Sequence, residues 1–373
     1  MIRQSTAADI PQLMELFEHS RSIMRANGNK LQWINGYPQR AVVENDVAEG
    51  NSYLIEEAGV IVGTFAFIVG ADPTYHTIYS GEWIDDQATY GTLHRLACAP
   101  GVHGIAHKCL EWCEQQVGSL RADTHADNTI MQHILERNNF IYCGIIHVAD
   151  GSERRAYQKL IYHEVDVSLR KYIETDIIPR HDHFDAAHQR EHILTVIANS
   201  MDLSQHYDVD STMVYVAAAY HDTGVVEGRE HHHLVSGKII RDDAMLKRWL
   251  TEAQIETIAE AAEDHRASSG KEPRSIYGKI VAEADRDIAS EKIILRTIQY
   301  GQKQFPNLGK EAVWERTVAH LQEKYGRRGY MKLWIPESKN RARLEDLRQL
   351  IEDPSRLRKV FEKLYRQVYG SEK

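Results

Sequence analysis

The sequence is poor in the features that mark membrane and secreted proteins. No apolar stretch among its 373 residues approaches the ~20 residues that a membrane-spanning helix needs, and residues 1–5 do not lead into the apolar segment of a signal peptide. Only four cysteines are present. Two of them, Cys109 and Cys113, are four residues apart, which suits neither a disulfide nor a Cys-x-x-Cys zinc site. We therefore expect a soluble, cytoplasmic protein with reduced thiols and no membrane partner.

The chain also lacks an overall excess of positive charge. Its 45 Lys and Arg residues against 54 Asp and Glu residues give a net charge of −9. Residues 1–162 carry 12 basic against 19 acidic residues, and the remainder is close to balanced. This balance disfavours binding to a nucleic-acid polymer. An anionic ligand must instead be held by a local arrangement of donors.

The hydrophobic pattern changes along the chain in a way that predicts two domains. A length of 373 residues is typical of two domains, and a hydrophobic content of 42% is ample for packed cores. The first part alternates strand and helix patterns, whereas the second is almost entirely helical in pattern. We predict an α/β domain with a mixed sheet and flanking helices at 1–161, a linker helix at 162–180, and an all-α helical bundle at 181–373.

The α/β part has a characteristic order of elements. A polar loop is predicted around Trp33 and Asp46. The predicted strands and helices are, in chain order, a strand at 2–5, a helix from Asp9, strands at Ser52–Glu56, Val60–Val69 and Gly91–Cys98, a helix at Val102–Val117, a strand at Leu120–Thr124, a helix at Asn128–Arg137, and strands at Phe140–His147 and Arg155–Ile161.

This order resembles the GNAT N-acetyltransferase superfamily over residues 1–161. The specific element is the run Gly-Val-His-Gly-Ile-Ala at 101–106, which follows a predicted strand and opens a helix. It matches the family pattern Arg/Gln-x-x-Gly-x-Gly/Ala except for the leading basic residue, and backbone N–H groups of that pattern hold the pyrophosphate of acetyl-CoA. The resemblance implies acetyl-CoA as a cofactor, bound by Leu96, Ala97, Cys98, Gly101, Val102, His103, Gly104, Ile105, Ala106 and Asn128.

An acetyltransferase of this kind also needs a base for the acceptor ammonium and an acid for the leaving thiolate. The tyrosine that many GNAT members use as the acid is replaced by Leu135. The candidates for acid and base are Glu82, His94 and Tyr142, and the alternative for each is an ordinary strand or loop residue. The acceptor is expected to be a small amine. Four aromatic residues are candidates either for lining its pocket or for the core: Trp33, Tyr37, Tyr75 and Trp83.

The second part is predicted to be a series of helices joined by polar loops. A segment with helical spacing from Val165 to Ile178 ends at Pro179. The helices predicted after it are His188–Met201, Ser211–Asp222, His231–Arg241, Ala244–Leu250, Glu252–Arg266, Tyr277–Ile288, Ile293–Phe305, Lys310–Tyr325 and Arg341–Tyr369, the last with a break at Pro354.

Histidines are concentrated in this helical part. Ten of the chain's 20 histidines lie from His181 to His265. The most informative run is Tyr-His-Asp-Thr-Gly at 220–224, because an apolar segment from Met213 to Ala219 leads directly into a histidine and an aspartate. Imidazole and carboxylate are the side chains that transition metals prefer in such sites.

The histidines and aspartates resemble the pattern of the HD-domain metal-dependent phosphohydrolase superfamily. That pattern has a histidine, a later His-Asp pair and a final aspartate, and two-metal members add two histidines between the pair and the aspartate. The resemblance implies one or two divalent ions, either Mn, Fe, Zn, Ni or Co, with Mg also compatible with a single-ion site. The implied ligands are His192, His221, Asp222, His232, His265 and Asp285.

The chemistry implied by such a centre is hydrolysis of a phosphate ester in a nucleotide or another small phosphorylated metabolite. Guanidinium groups bind phosphate through paired hydrogen bonds. The basic residues nearest to the ligands are therefore candidate phosphate-binding groups, with surface charge as the alternative, especially for Lys279. They are Arg266, Arg274, Lys279 and Arg286.

Three alternatives to a bifunctional enzyme remain open from the sequence. One domain catalyses while the other senses a ligand, or the metal-binding half has only a binding or scaffolding role. A third alternative is a zinc peptidase, because His188, Glu191 and His192 spell His-x-x-Glu-His, in which two histidines bind zinc and the glutamate is the base. The peptidase hypothesis leaves the His221–Asp222 pair without a role.

Overall fold

The chain divides into two compact units in the computed structural model, which describes residues 1–184, 189–266 and 270–370. The first unit is Met1–His163 and the second is Glu164–Lys373. Most of the segment predicted as a linker helix, 162–180, is therefore part of the second unit. Among the described residues, no helix combines the length and the apolar character needed to cross a membrane.

The first unit is built on a seven-stranded sheet in the order β1-β2-β3-β4-β5-β7-β6. All neighbouring pairs are antiparallel except β4 and β5, which are parallel, so the predicted mixed sheet is confirmed. The strands are β1 Ile2–Gln4, β2 Ser52–Glu57, β3 Val60–Val69, β4 Gly91–Cys98, β5 Ser119–Thr124, β6 Ile141–His147 and β7 Glu153–Leu160.

Both faces of this sheet are covered by helices, as the residue alternation along the strands requires. Leu54 packs in the cluster formed with α1 and α2, whereas its neighbour Ile55 packs in the cluster formed with α3. Successive strand residues point to opposite faces, so each face obtains its own apolar core. The helices are α1 Ile10–Ala26, α2 Arg40–Ala48, α3 Ile105–Glu114 and α4 Thr129–Arg137.

Helix α2 occupies part of the segment that the sequence predicted to be a loop. Its buried side chains are Val43 and Asp46 alone, so its apolar periodicity is weak. Asp46 is held by an ion pair with Arg95 of β4, 2.7 Å apart, and Arg95 also donates to the hydroxyl of Tyr37. The helix is thus anchored by a tertiary ion pair that has no counterpart in the local sequence pattern.

Strands β4 and β5 separate part of the way along their length. They pair only at the three positions from Gly91 to Leu93, opposite 120–122. Just beyond, the register between β3 and β4 shifts, and Arg95 adopts a left-handed backbone with φ +53°. A bulge of this kind bends its strand. The two parallel strands therefore diverge and leave an opening between them.

The second unit contains helices and no strands among its described residues, as predicted for an all-α domain. Helix α7 lies at its centre and is buried from Met213 to Tyr220, since it is apolar on every side. A second apolar cluster joins α11 to α14. The helices are α5 Val167–Tyr172, α6 Arg190–Ser204, α7 Ser211–Tyr220, α8 His232–Asp242, α9 Glu252–Asp264, α10 Ile276–Ala284, α11 Ser290–Gln304, α12 Lys310–Tyr325, α13 Asn340–Glu352 and α14 Pro354–Tyr369.

Candidate metal centre and coenzyme cleft

Five helices of the second unit bring the predicted metal ligands together. His192 lies in the first turn of α6, and His232 is the first residue of α8. The remaining four follow the last residues of three helices. These are His221 and Asp222 after α7, His265 after α9 and Asp285 after α10.

Gly224 allows helix α8 to approach the His-Asp pair. A Cβ atom at Gly224 would lie 2.1 Å from the carbonyl oxygen of His232 and 2.6 Å from the amide nitrogen of Ser236. The Gly224 N–H instead donates to the Ser236 hydroxyl, 2.9 Å away. Gly224 is thus required by close backbone packing, and this packing brings His232 to the centre.

Asp222 presents one carboxylate oxygen to each of two groups of ligands. Its Oδ2 lies 3.4 Å from Nε2 of His192 and 3.3 Å from Nε2 of His221. Its Oδ1 lies 3.3 Å from Nε2 of His232 and 3.4 Å from Nε2 of His265. Residues placed in this way could hold one or two ions, with Asp222 shared between the two groups.

Asp285 completes the first of these groups. Its Oδ1 lies 3.2 Å from Nε2 of His192 and 3.8 Å from Nε2 of His221. In the second group, the Nε2 atoms of His232 and His265 are 3.1 Å apart. The structure thus brings together all six residues that the sequence singled out as ligands.

The spacing of these atoms fits transition-metal coordination. Two ligands bound at about 2.1 Å with angles of about 90–110° are about 3.0–3.4 Å apart. The Nδ1 atoms also fix the tautomers, since those of His221, His232 and His265 donate to the carbonyls of residues 218, 229 and 262, at 2.8, 2.8 and 2.5 Å. The Nε2 atoms therefore face the centre of the cluster, where each can offer a lone pair to an ion once it has lost its proton.

The electrostatics of the cluster couple metal binding to proton release. Burial alone lowers the pKa of His221, but the carboxylates of Asp222 and Asp285 raise it well above its usual range. Burial also raises the pKa of both carboxyl groups, yet the adjacent imidazoles hold both pKa values well below the usual range. Imidazolium–carboxylate pairs thus stabilise the metal-free cluster, and a bound ion must displace their protons.

This coupling predicts a pH-dependent stabilisation by metal. A histidine with a raised pKa stabilises the metal-free fold fully below its unfolded pKa of about 6.5, and this contribution is lost as pH rises through the folded pKa. At higher pH the metal-free fold loses this stabilisation, and fewer protons compete with the metal for the ligands. Both effects favour metal binding at higher pH. We expect Mn²⁺ to raise the melting temperature more at about pH 8.5 than at about pH 6. Thermal unfolding with and without Mn²⁺ measures this, and an equal or larger increase at the lower pH would contradict it.

One side of the centre is open to solvent. The side chains of His192 and Asp285 are 22% and 25% exposed, whereas those of His221, Asp222 and His265 are at most 3% exposed. Water and a substrate can therefore reach the centre along the edge formed by His192 and Asp285.

Two of the four predicted phosphate-binding groups are occupied by other partners. The guanidinium of Arg274 contacts Asp264, Glu263 and Glu260 of α9, at 3.0, 2.6 and 3.2 Å. The ammonium of Lys279 pairs with a carboxylate at position 272, 2.5 Å away. Both cations are thus largely neutralised by acidic neighbours, which gives neither a geometry suited to a phosphate.

The other cations near the centre include one that the sequence analysis did not single out. Arg286 is buried and directly follows Asp285, and Arg266 donates to the carbonyl of Glu230. Burial lowers the pKa of Lys324, while the negative charge of Asp285 opposes this shift and the positive charge of Arg286 adds to it. Lys324 therefore interacts electrostatically with the ligand Asp285.

The peptidase motif does not form a second arrangement of ligands in the described residues. His188 lies outside them. Glu191 is exposed, and the His192 imidazole faces Asp222 and Asp285. We expect Glu191→Gln to leave metal-dependent phosphatase activity largely unchanged, because Glu191 contacts no ligand atom among these residues. A phosphatase assay and a peptidase assay on this variant provide the check, and loss of a peptidase activity would favour the rival motif.

The opening between β4 and β5 leads to a cavity of about 330 Å³ in the first unit. Nine of the ten predicted coenzyme-binding residues line it, and the tenth, Gly101, does not. The sequence analysis missed the contribution of α1 and the turn after it, because the lining residues of α1 continue the helix face that carries Leu13 and Phe17, and that pattern does not distinguish a cavity lining from a core. The lining residues of this segment are Ser20, Ile23, Met24, Asn27 and Asn29, and the others that the prediction omitted are Asp127, Thr129, Ile130, Met131 and Ile134, around the start of α4.

The backbone at the start of α3 is arranged for an anion. Gly104 precedes the helix with φ +77°, and a Cβ atom there would meet nothing within 4 Å. The first N–H groups of a helix lack intrahelical partners and attract negative charge. Asn128, at the start of α4, caps that helix through Met131 N–H at 3.2 Å and donates to Gln32 at 2.9 Å.

We expect Gly104→Val to weaken acetyl-CoA binding at least tenfold, which is about 1.4 kcal/mol. The substitution strains a left-handed backbone and places a side chain where the anion approaches the helix. Gly59→Val is the matched control, because Gly59 has φ +78° with free space around it but does not line the cavity. Calorimetry compares the two variants, and equal affinities would show that the loop does not hold the coenzyme.

Among the candidate acetyltransferase residues, His94 has the most suggestive surroundings. It lies on β4 directly before the bulge, with Nε2 2.9 Å from Oδ2 of Asp72. Burial alone raises the pKa of Asp72, but His94 and a backbone N–H lower it below its usual value. The nearby Tyr75 hydroxyl donates to Asp123, at 2.6 Å. A histidine oriented by a carboxylate at the point where the strands diverge is suited to accept a proton.

The other two candidates, like His94, do not line the cavity. Glu82 is exposed in the segment before β4, and Tyr142 lies on β6 with its ring against Tyr157. The aromatic residues considered for an acceptor pocket are mainly core residues. Tyr75 and Trp83 are buried and stacked, and Trp33 packs against Phe17, while Tyr37 accepts a hydrogen bond from Arg95.

Comparison with known proteins gives a separate result for each part of the chain. Residues 190–290 match the HD domain family. Two solved structures that are similar to this protein each match 43% of this chain. A GNAT-family acetyltransferase from Streptococcus agalactiae 2603 is 33% identical over 95% of its own chain, with a TM-score of 0.39. A putative acetyltransferase from Staphylococcus aureus MU50 is 21% identical over 99% of its chain, with a TM-score of 0.34. The comparison with curated proteins gave no match.

Proposed function

This chain belongs to the GNAT acetyltransferase family over its N-terminal part and contains an HD domain at residues 190–290, and from this premise we propose a bifunctional enzyme. The second unit is a metal-dependent phosphohydrolase that acts on a nucleotide or another small phosphorylated metabolite. The first unit transfers the acetyl group of acetyl-CoA to a small amine. We propose no nucleic-acid polymer as a partner.

The phosphohydrolase proposal is carried by the two-sided placement of Asp222, whose oxygens each face a pair of imidazoles. One or two ions of Mn, Fe, Zn, Ni or Co, or Mg as a single ion, would lower the pKa of a bound water and neutralise phosphate oxygens. The protein's own contribution is to orient the ligands through buried hydrogen bonds and to leave the edge at His192 and Asp285 open.

Cations along that edge support a phosphorylated substrate. We propose that Lys324 and Arg286 attract the phosphate and that Arg266, near the start of α8, contributes from the side of the second ligand group. Two predicted groups, Arg274 and Lys279, play no part in this proposal because acidic neighbours occupy them.

The experiment for this half is metal analysis of the purified protein combined with a phosphatase screen over nucleotides and sugar phosphates. We expect a divalent transition metal to copurify, and removal of that metal to abolish phosphate release. A protein that binds no transition metal, or whose phosphate release does not depend on it, would show that the proposed centre is wrong.

The acetyltransferase proposal is supported by the cavity beside the α3 amides and by the His94–Asp72 pair. In this proposal, the coenzyme lies in the opening between β4 and β5, with its pyrophosphate at the start of α3. His94 accepts the proton of the acceptor ammonium, and Asp72 orients the ring and stabilises the imidazolium that forms.

The altered coenzyme loop also favours a second candidate, in which the first unit binds acetyl-CoA as a sensor without transferring its acetyl group. The leading basic residue of the family pattern is absent, and position 135 is a buried leucine. Calorimetry with acetyl-CoA and a screen of small amines distinguish the candidates. Binding without turnover by any amine would favour the sensor.

A further inference from the structure

The metal ligand Asp285 lies just beyond the end of helix α10, where backbone carbonyls normally lack helical partners. Side-chain amides of two asparagines supply those partners. Asn340 Nδ2 donates to the carbonyls of Glu283 and Arg286, at 3.1 and 2.7 Å. Asn199 Nδ2 donates to the carbonyl of the intervening Ala284, at 3.3 Å. Carbonyls on both sides of Asp285 are therefore tied to other helices.

These two asparagines approach α10 from different parts of the fold. Asn199 lies on α6, seven residues after the ligand His192, which places both on one face of that helix. Asn340 begins α13, 50 residues beyond the end of the HD match at 290, and its side chain is only 4% exposed. The position of Asp285 is thus set jointly by a ligand-bearing helix and by a segment outside the matched domain.

The segment before Asn340 makes a second attachment to the same helix end. The Trp334 N–H donates to Oε2 of Glu283, at 2.9 Å. The Glu283 side chain is completely buried and also lies 3.5 Å from Nη1 of Arg286. Residues 334–340 therefore contact α10 on both its side chains and its backbone, immediately next to the ligand.

We propose that Asn340 and Asn199 are positioning residues for the metal centre, which hold the end of α10 so that Asp285 reaches the ion shared with His192 and His221. This inference rests on the metal centre of the proposed function. It adds that residues beyond 290 are needed to form the centre. An ion held by His232 and His265 would not need Asp285, so its binding would depend much less on the two asparagines.

The test measures Mn²⁺ affinity and stoichiometry in the full-length chain by calorimetry and metal analysis. The variants are Asn340→Ala and Asn199→Ala. Thr317→Ala is the matched control, because Thr317 is an equally buried polar residue of the same unit whose hydroxyl bonds within its own helix, to Val313 at 2.7 Å. Melting temperatures are recorded for every variant, so that loss of stability is separated from loss of metal.

We expect Asn340→Ala to lower the affinity for one Mn²⁺ ion about 10–100-fold, as is typical for groups that orient metal ligands. The affinity for the other ion should stay close to that of the wild type. If the wild type binds only one ion, the affinity for that ion should fall by the same factor. Asn199→Ala, which loses one longer hydrogen bond, should weaken the same ion by a smaller factor. Thr317→Ala should lower the melting temperature without changing Mn²⁺ affinity.

Wild-type affinity for Mn²⁺ in folded Asn340→Ala would overturn the proposal, and so would an equal loss of affinity in Thr317→Ala. If Asn340→Ala does not fold, unchanged affinity in Asn199→Ala overturns it. A wild-type protein that binds no metal is a different result, because it overturns the proposed function from which this inference starts.

Discussion

Asp222→Asn is expected to remove most of the bound metal and to lower phosphate release by more than about a thousandfold, equivalent to about 4 kcal/mol of transition-state stabilisation. Asp222 has an oxygen facing each pair of histidines, so its replacement affects both groups of ligands. An amide has nearly the same shape but lacks the negative charge that compensates the ions. Metal analysis and a phosphatase assay on the purified variant measure the two effects.

The control for this substitution lies at the other end of the same helix. Asp210 caps α7 by accepting from the N–H of Thr212 at 2.8 Å, and it contacts no metal ligand. Asp210→Ala should cost about 1 kcal/mol of stability through loss of the cap while metal content stays at the wild-type level. Wild-type metal content in Asp222→Asn would mean that the centre is misassigned. Loss of metal in Asp210→Ala would mean that general destabilisation explains both results.

His94→Gln is expected to lower kcat for acetyl transfer by about 10²–10⁴-fold, the usual contribution of a positioned general base. The Kd for acetyl-CoA should remain close to that of the wild type, because His94 does not line the coenzyme cavity. Steady-state kinetics with the best amine, together with calorimetry, separates the two effects.

Two further variants test whether the fall in kcat expected for His94→Gln comes from the loss of a general base. Asp72→Asn should lower kcat by a smaller factor, because it changes the partner of His94 without removing the ring. His107→Gln alters an exposed histidine on α3 and should behave as the wild type. If His94→Gln retains the wild-type kcat, the base is another group. If it loses acetyl-CoA binding as well, His94 has a structural role.

The sequence by itself indicated the two kinds of domain, and its resemblance to the HD superfamily implied the six ligands that the structure brings together. Helix α7 is apolar on every side, which requires burial, and a His-Asp pair at the end of a buried helix must face the interior. Alternating strand patterns likewise predicted a sheet covered on two faces. These features depend on residue periodicity and on side-chain chemistry within single elements, so they are visible without a structure.

Only the tertiary structure decided how these pieces work together. The two oxygens of Asp222 face separate pairs of histidines only because five helices come together. The hydrogen bond from Asn340 to the end of α10 joins residues more than 50 positions apart. Helix α2 and the acidic partners of Arg274 escaped prediction for the same reason. Hydrogen bonds and ion pairs between distant segments leave no periodic trace in the chain, because each depends on one contact rather than on a repeated spacing.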